Sequence, residues 1–252
     1  MAGKFVVVAN WKMHPATLRE ARRLFDVTRK IAENAPRVSI IVAPTSVHLA
    51  SLTIGYRGKR VEFAAQNAHE GEVGAFTGDI SVAQAKDAKA RYLLVGHAER
   101  REAGETNDET RLTVASALSY GLMPILCVGE HARSVSGEHF TFVRDQLKAG
   151  FQSVEPSAVS KVIVAYEPVW AIGSEEAMSP RAMHEMAIFI RKTIVELHGA
   201  KGHAVKILYG GAISEHNASA MLLYGDVVGL LVGRASINPK EFALLIDSIK
   251  TN

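Results

Sequence analysis

Lys161-Val162-Ile163-Val164-Ala165-Tyr166-Glu167-Pro168-Val169-Trp170-Ala171-Ile172-Gly173 is the stretch from which the fold can be read. An apolar, β-branched run ends in a carboxylate, Glu167. Its residues are nearly continuous in hydrophobicity rather than alternating, the pattern of a parallel strand covered by helices. Pro168 follows at once, then Val169 and Trp170, and Gly173 opens a loop. The functional reading is a base on a rigid strand end, with Pro168, Val169 and Trp170 as a stiff hinge into a cover. The plain reading is a strand that ends in an exposed glutamate.

Working outward, runs of the same kind recur at 5–9, 38–43, 61–65, 92–96, 123–128, 162–166, 205–209 and 227–232. Amphipathic segments separate them. Thr17-Leu-Arg-Glu20 and Thr106-Asn-Asp-Glu109 match the capping box, and Ser179-Pro180 supplies an N-cap followed by proline at the first helical position. From Leu18, the residues Ala21, Leu24, Phe25, Ile31 and Ala32 make one apolar stripe. Eight βα units in a chain of 252 residues predict a single-domain (β/α)₈ barrel over residues 1–252. A doubly wound open sheet is the rival. The first βα turn, Ala9-Asn-Trp-Lys-Met-His-Pro15, lacks its Gly-x-Gly-x-x-Gly fingerprint.

Composition narrows the function classes. The chain is 48% hydrophobic and 22% charged with a formal charge of +3, an ordinary globular balance. No basic run is interleaved with aromatics, so nucleic acid is not an expected partner, while a small anion suits the mild positive charge. Nor does any apolar stretch approach the length of a membrane span, and no signal peptide is read at residues 5–9. Cys127 is the sole cysteine, which excludes an internal disulfide and suits a reducing compartment; the expected location is the cytoplasm.

In a parallel barrel the working groups stand just past the strand ends. Strand one is followed by Asn10 and Lys12, strand four by His97, Glu99 and Arg100, and strand six by Glu167. Strand seven runs into Tyr209-Gly210-Gly211, and strand eight into Gly233-Arg234-Ala235-Ser236. A lysine, a histidine and a glutamate on one rim, opposite glycine-rich turns, suggest proton transfer on a phosphorylated small molecule. Taken singly, Lys12 reads equally as a solvated lysine, His97 as a structural histidine, and Glu99 and Arg100 as helix caps or ion-pair partners.

Further motifs occur in order: Asn10-Trp-Lys-Met13, Ala65-Gln-Asn67, Gly74-Ala-Phe-Thr-Gly-Asp79, Gly96-His-Ala-Glu-Arg-Arg101, Pro124-Ile-Leu-Cys-Val-Gly-Glu130, Ala165-Tyr-Glu-Pro-Val-Trp-Ala-Ile-Gly173, Tyr209-Gly-Gly211 and Leu231-Val-Gly233. Together they make the chain resemble the triosephosphate isomerase family along essentially its whole length. That family is itself a standard example of pKa tuning. The resemblance implies interconversion of dihydroxyacetone phosphate and glyceraldehyde 3-phosphate through an enediolate, without metal or organic cofactor. It implies Glu167 as the base, His97 as a neutral imidazole, and Lys12 with Asn10 as the electrophilic site. Glu99 would orient these groups. The phosphate would rest on main-chain N–H groups of Gly173, Gly211, Ala212, Gly233 and Arg234. Tyr209 would latch the cover, and Phe76 and Thr77 would brace a neighbouring subunit in a homodimer.

The chain departs from the family pattern in four places. Ala98 stands where a serine hydroxyl is expected to hold the resting Glu167. The cover reads Gly173-Ser-Glu-Glu-Ala-Met178, and Ala212 replaces a serine of its latch. Arg234 replaces the second glycine of the phosphate turn; it is expected either to pair with Glu175 or Glu176 or to point into solvent. The segment expected to receive the neighbouring arm, Glu102-Ala-Gly-Glu105, is short and has no aromatic. The altered cover and Arg234 keep open an isomerase of a related sugar phosphate such as a tetrulose phosphate. The alternative of another class, a non-catalytic phosphate-binding barrel, would be expected to have lost Lys12, His97 or Glu167, and all three are present.

Overall fold

In the computed structural model, which describes residues 5–71, 73–171 and 177–250, each of the eight runs forms a parallel strand. The strands are β1 (Phe5–Asn10), β2 (Val38–Ala43), β3 (Val61–Ala65), β4 (Tyr92–Val95), β5 (Met123–Val128), β6 (Ile163–Tyr166), β7 (Lys206–Tyr209) and β8 (Gly229–Val232). They pair in chain order, and β8 closes onto β1 with Val6 opposite Gly229. The helices are α1 (Leu18–Glu33), α2 (Ser46–Gly55), α3 (Val82–Asp87), α4 (Ala98–Glu102), α5 (Asn107–Ser119), α6 (Glu138–Phe151), α7 (Pro180–His198), α8 (Ala218–Tyr224) and α9 (Pro239–Ile249). The architecture is a (β/α)₈ barrel.

Local chemistry sets the boundaries. Both capping boxes form in full, at Thr17/Glu20 and Thr106/Glu109, and Ser179 caps α7 ahead of Pro180. A third box at Ser81/Gln84 starts α3. Three strands begin later than the hydrophobic runs suggest. Val162 and Val205 each bond back to close a 3₁₀ turn, at Val159–Lys161 and Gly199–Ala204, which delays β6 and β7. Val227 and Val228 follow Asp226, whose φ of 54° turns the chain before β8. β4 stops at Val95 because Gly96 takes a φ of 68°, whereas β1 gains Asn10 by pairing with Ala43.

Alternation along the strands sorts two cores. Val8, Leu94, Ile125, Cys127, Ile163, Ala165, Leu208 and Leu231 fill the barrel interior, while neighbours such as Val7, Ala9, Leu126 and Val164 pack against the helices. The same period of two places the site. Ile163 and Ala165 point inward, so Glu167 does too, and Asn10 continues the inward series from Val8. On β4 the inward position after Leu94 is Gly96; its left-handed turn breaks the alternation and brings His97 round to the mouth instead.

Candidate active site

Asn10, Lys12, His97, Glu167, Gly210, Gly211, Ala212, Gly233 and Arg234 line one cleft at the C-terminal mouth of the barrel, about 660 Å³ including its open side. Of the residues singled out in the sequence, Glu99 stands directly behind: Lys12 Nζ donates to Glu99 Oε1 at 2.5 Å. Tyr209 is buried outside the cleft lining, among the residues that pack against the helices, and its hydroxyl accepts from the Met178 amide at 3.3 Å. Gly173, Glu175 and Glu176 lie outside the described residues, and with them the expected pairing of Arg234. Arg234 itself is exposed, is absent from the positive-φ residues, and makes no ion pair among the described residues. Phe76 and Thr77 are exposed on a separate loop away from the cleft.

Glu167 is only 3% exposed. Its Oε1 lies 3.1 Å from His97 Nε2, and its Oε2 accepts from the Ala98 amide at 3.2 Å. The missing serine hydroxyl is thus answered by a main-chain N–H that no side-chain change removes. Gly210 makes room for this arrangement: a Cβ there would come within 2.8 Å of Glu167 Cγ. At Gly211 a Cβ would run into the Tyr209 hydroxyl, so the two glycines clear space for the Glu167 and Tyr209 side chains rather than simply making a turn.

His97 opens α4, and its Nδ1 accepts the Glu99 amide proton at 3.2 Å. The ring proton therefore sits on Nε2, facing Glu167. Burial works against a charged imidazole here, but the Glu167 carboxylate outweighs it, and the His97 pKa is raised above its ordinary value. Burial likewise works against the charged form of Glu167. The His97 ring and the Ala98 amide overcome that and hold Glu167 below the usual carboxylate range. Both shifts belong to the paired state. Apart from the carboxylate, the burial of His97 and its Glu99 N–H contact both favour the neutral ring.

Lys12 adopts a left-handed backbone at φ 51°, a conformation that costs a side-chain-bearing residue roughly 1–3 kcal/mol. Two contacts hold it. Its amide donates to Asn10 Oδ1 at 3.1 Å, and Gln66 Nε2 donates to both the Lys12 and Ala43 carbonyls at 2.8 Å. Ser236 ties the β8 turn to β1, its hydroxyl 2.6 Å from the Gly233 carbonyl and 3.3 Å from that of Asn10.

Three groups escaped the sequence reading. Gln66 was visible only as part of a motif. Cys127, buried beneath Glu167, has its thiol pKa pushed up by burial and by the Glu167 charge. Glu130 follows the end of β5 and is 1% exposed; it accepts from the Tyr166 hydroxyl at 2.8 Å and Trp170 Nε1 at 2.9 Å. Listing the polar residue past every strand end, strand five included, would have found Glu130. Among the described residues no cluster of three or more His, Cys, Asp or Glu side chains is arranged to hold a metal ion.

Comparison with known proteins matches this arrangement to one family. A family model described as triosephosphate isomerase matches residues 5–249. A triosephosphate isomerase of Symbiobacterium thermophilum is 38% identical over 249 residues, covering 95% of this chain and 94% of the relative. One from Caldanaerobacter subterraneus is 36% identical, covering 96% and 98%, and one from Flavobacterium johnsoniae is 36% identical, covering 98% and 99%. With a matched model over nearly its whole length and relatives above 30% identity, the chain belongs to the triosephosphate isomerase family.

Proposed function

We propose that this chain interconverts dihydroxyacetone phosphate and glyceraldehyde 3-phosphate. The observation that carries this reading is the inward-facing carboxylate of Glu167 beside His97 Nε2, in a cleft that also holds Lys12. Glu167 removes the proton from one substrate carbon and returns it to its neighbour. The Nε2–H of His97 takes over the carbonyl oxygen when Glu167 leaves it, and a neutral imidazole donates a proton to the enediolate without a large mismatch in acidity. Lys12 and Asn10 stabilise the oxygen on which negative charge develops. The main-chain N–H groups of Gly211, Ala212, Gly233 and Arg234, with that of Gly173, receive the phosphate, and Tyr209 latches the cover that excludes water. The reaction draws on no metal or organic cofactor.

In a coupled assay with glyceraldehyde 3-phosphate, Glu167→Gln is expected to lower kcat by about 10³-fold or more, with the fold unchanged by circular dichroism. Turnover by the variant at the native rate would remove Glu167 from the mechanism. Absence of turnover in the native chain would reject the reading itself.

A homodimer accompanies this reading. Met13 (89% exposed), Val47 (77%), Val73 (76%) and Phe76 (48%) are large apolar side chains left exposed, which a second subunit could cover. Phe76 and Thr77 are its candidate arm. Sedimentation at micromolar concentration is expected to give a dimer; a monomer alone would overturn this. The expected location is the cytoplasm, supported by the lone buried Cys127 and by the absence, among the described residues, of a helix long and apolar enough to cross a membrane.

A further inference from the structure

Arg133 lies on the turn after β5, away from the lining of the cleft, yet it contacts both sides of the segment carrying Glu167. Its Nε is 3.4 Å from Glu130 Oε1, its Nη2 donates to the Tyr166 hydroxyl at 3.3 Å, and its guanidinium lies 5.9 Å from the centre of the Trp170 ring. Tyr166 immediately precedes Glu167, and Trp170 follows it by three residues. The main chain repeats the attachment: Glu167 N donates to the Val128 carbonyl at 2.8 Å and Val169 N to that of Glu130 at 3.0 Å.

Charge explains why this residue matters more than its place suggests. Glu130 is 1% exposed, and Arg133 is its only cationic partner among the described residues. Removing the cation from a buried carboxylate leaves its desolvation uncompensated. Glu130 is also the shared acceptor of the Tyr166 hydroxyl and the Trp170 indole. Trp170 is 41% exposed, so little packing fixes it; its ring is oriented by the Glu130 hydrogen bond at its edge and by the guanidinium at its face.

We propose that Arg133 is a positioning residue for the isomerisation, acting through Glu130 and Trp170 to keep residues 166–170 in the register that aims Glu167 into the cleft. This rests on Glu167 being the base. A planar guanidinium reaches Glu130 and Tyr166 together, whereas a lysine supplies the charge to Glu130 alone. A misaimed base slows the chemical step without weakening phosphate binding.

The test compares native protein with Arg133→Met and Arg133→Lys. Two readouts are used: coupled kinetics with glyceraldehyde 3-phosphate, and acrylamide quenching of tryptophan fluorescence. Trp11 is fully buried, so quenching reports Trp170, with Trp170→Phe as the control. Arg133→Met is expected to lower kcat about tenfold with KM within about twofold, and to increase quenching. Arg133→Lys should recover part of both. Native kcat and native quenching in the folded Met variant would overturn the proposal, as would a kcat loss with unchanged quenching or a change confined to KM. If Arg133→Met does not fold, Arg133→Lys decides on the same two readouts. If the native chain shows no turnover, the proposed function fails, while quenching still decides whether Arg133 holds Trp170.

Discussion

Tyr166 and Tyr209 face each other in register on the adjacent strands β6 and β7, both fully buried, and each holds one end of the chain between residues 168 and 178. They do so differently. The Tyr166 hydroxyl belongs to a charged cluster with Glu130, Arg133 and Trp170 at the entrance of this segment. The Tyr209 hydroxyl accepts one bond at the exit, from the Met178 amide at 3.3 Å. Burial, with the Glu130 charge added, drives the Tyr166 phenol far above its ordinary pKa; burial pushes that of Tyr209 up to about 12. Both stay neutral at working pH. A hydrogen bond to a charged group contributes about 1.5–3 kcal/mol and a neutral one about 0.5–1.5. The entrance is therefore an anchor beside Glu167, and the exit a weaker fastening.

The entrance gives the largest expected effect. Glu130→Ala leaves the Tyr166 hydroxyl, the Trp170 indole and the Arg133 guanidinium without their common acceptor. Unfolding in urea should show a loss of about 3–5 kcal/mol, the cost of breaking a buried pair at one side. A loss below about 1 kcal/mol would mean that the entrance is no stronger than the exit, and the contrast would collapse.

Next to the entrance, the His97–Glu167 contact sets a pH dependence. His97 has a raised pKa in the folded chain, so its stabilising share is complete below the ordinary value of 6.5 and is lost as pH rises through the raised one. Glu167 has a lowered pKa, so its share is present above 4.5 and is lost as pH falls through the lowered one. The pair stabilises most between those two ordinary values. Replacing the ring by His97→Gln keeps an N–H for Glu167 but removes the titration. Native protein should exceed this variant by about 1.5–3 kcal/mol near pH 5.5 and by less near pH 8.5. An advantage that grows with pH would contradict the shifts.

At the exit, Tyr209→Phe deletes one neutral hydrogen bond and leaves the Met178 amide without its acceptor. The expected cost is about 1 kcal/mol of stability and a fall in kcat/KM of up to about tenfold. A loss as large as that of Glu130→Ala would reverse the ranking of the two ends.

What could be read in the sequence follows the same division. Continuous β-branched runs reveal parallel strands, and the strand ends show where working groups stand, so the barrel and the places of Lys12, His97 and Glu167 are local signals. Arg133 carries no such signal: its value lies in meeting Tyr166, 33 residues away, and a ring on the next turn. Gln66 is alike, since its amide serves a carbonyl 54 residues away. The inward turn of His97 needs the left-handed Gly96, which a glycine in sequence permits but does not demand. Contacts across the rim are tertiary, and residue type alone does not specify them.

The smallest effect bears on what holds Glu167. Ala98 is buried beside Glu167, and its amide already supplies the bond to Oε2 at 3.2 Å. If that amide is sufficient, a hydroxyl restored by Ala98→Ser adds only a second donor to the same carboxylate. It would then favour the resting position slightly and lower kcat/KM by no more than about two- to threefold, well under 1 kcal/mol. If instead the missing hydroxyl leaves Glu167 poorly held, Ala98→Ser should raise kcat/KM, because the base would spend less time misdirected. The sign of this change in the coupled assay separates the two. A decrease keeps the strong hold at the entrance and on the main chain; an increase moves part of it to a side chain this protein lacks.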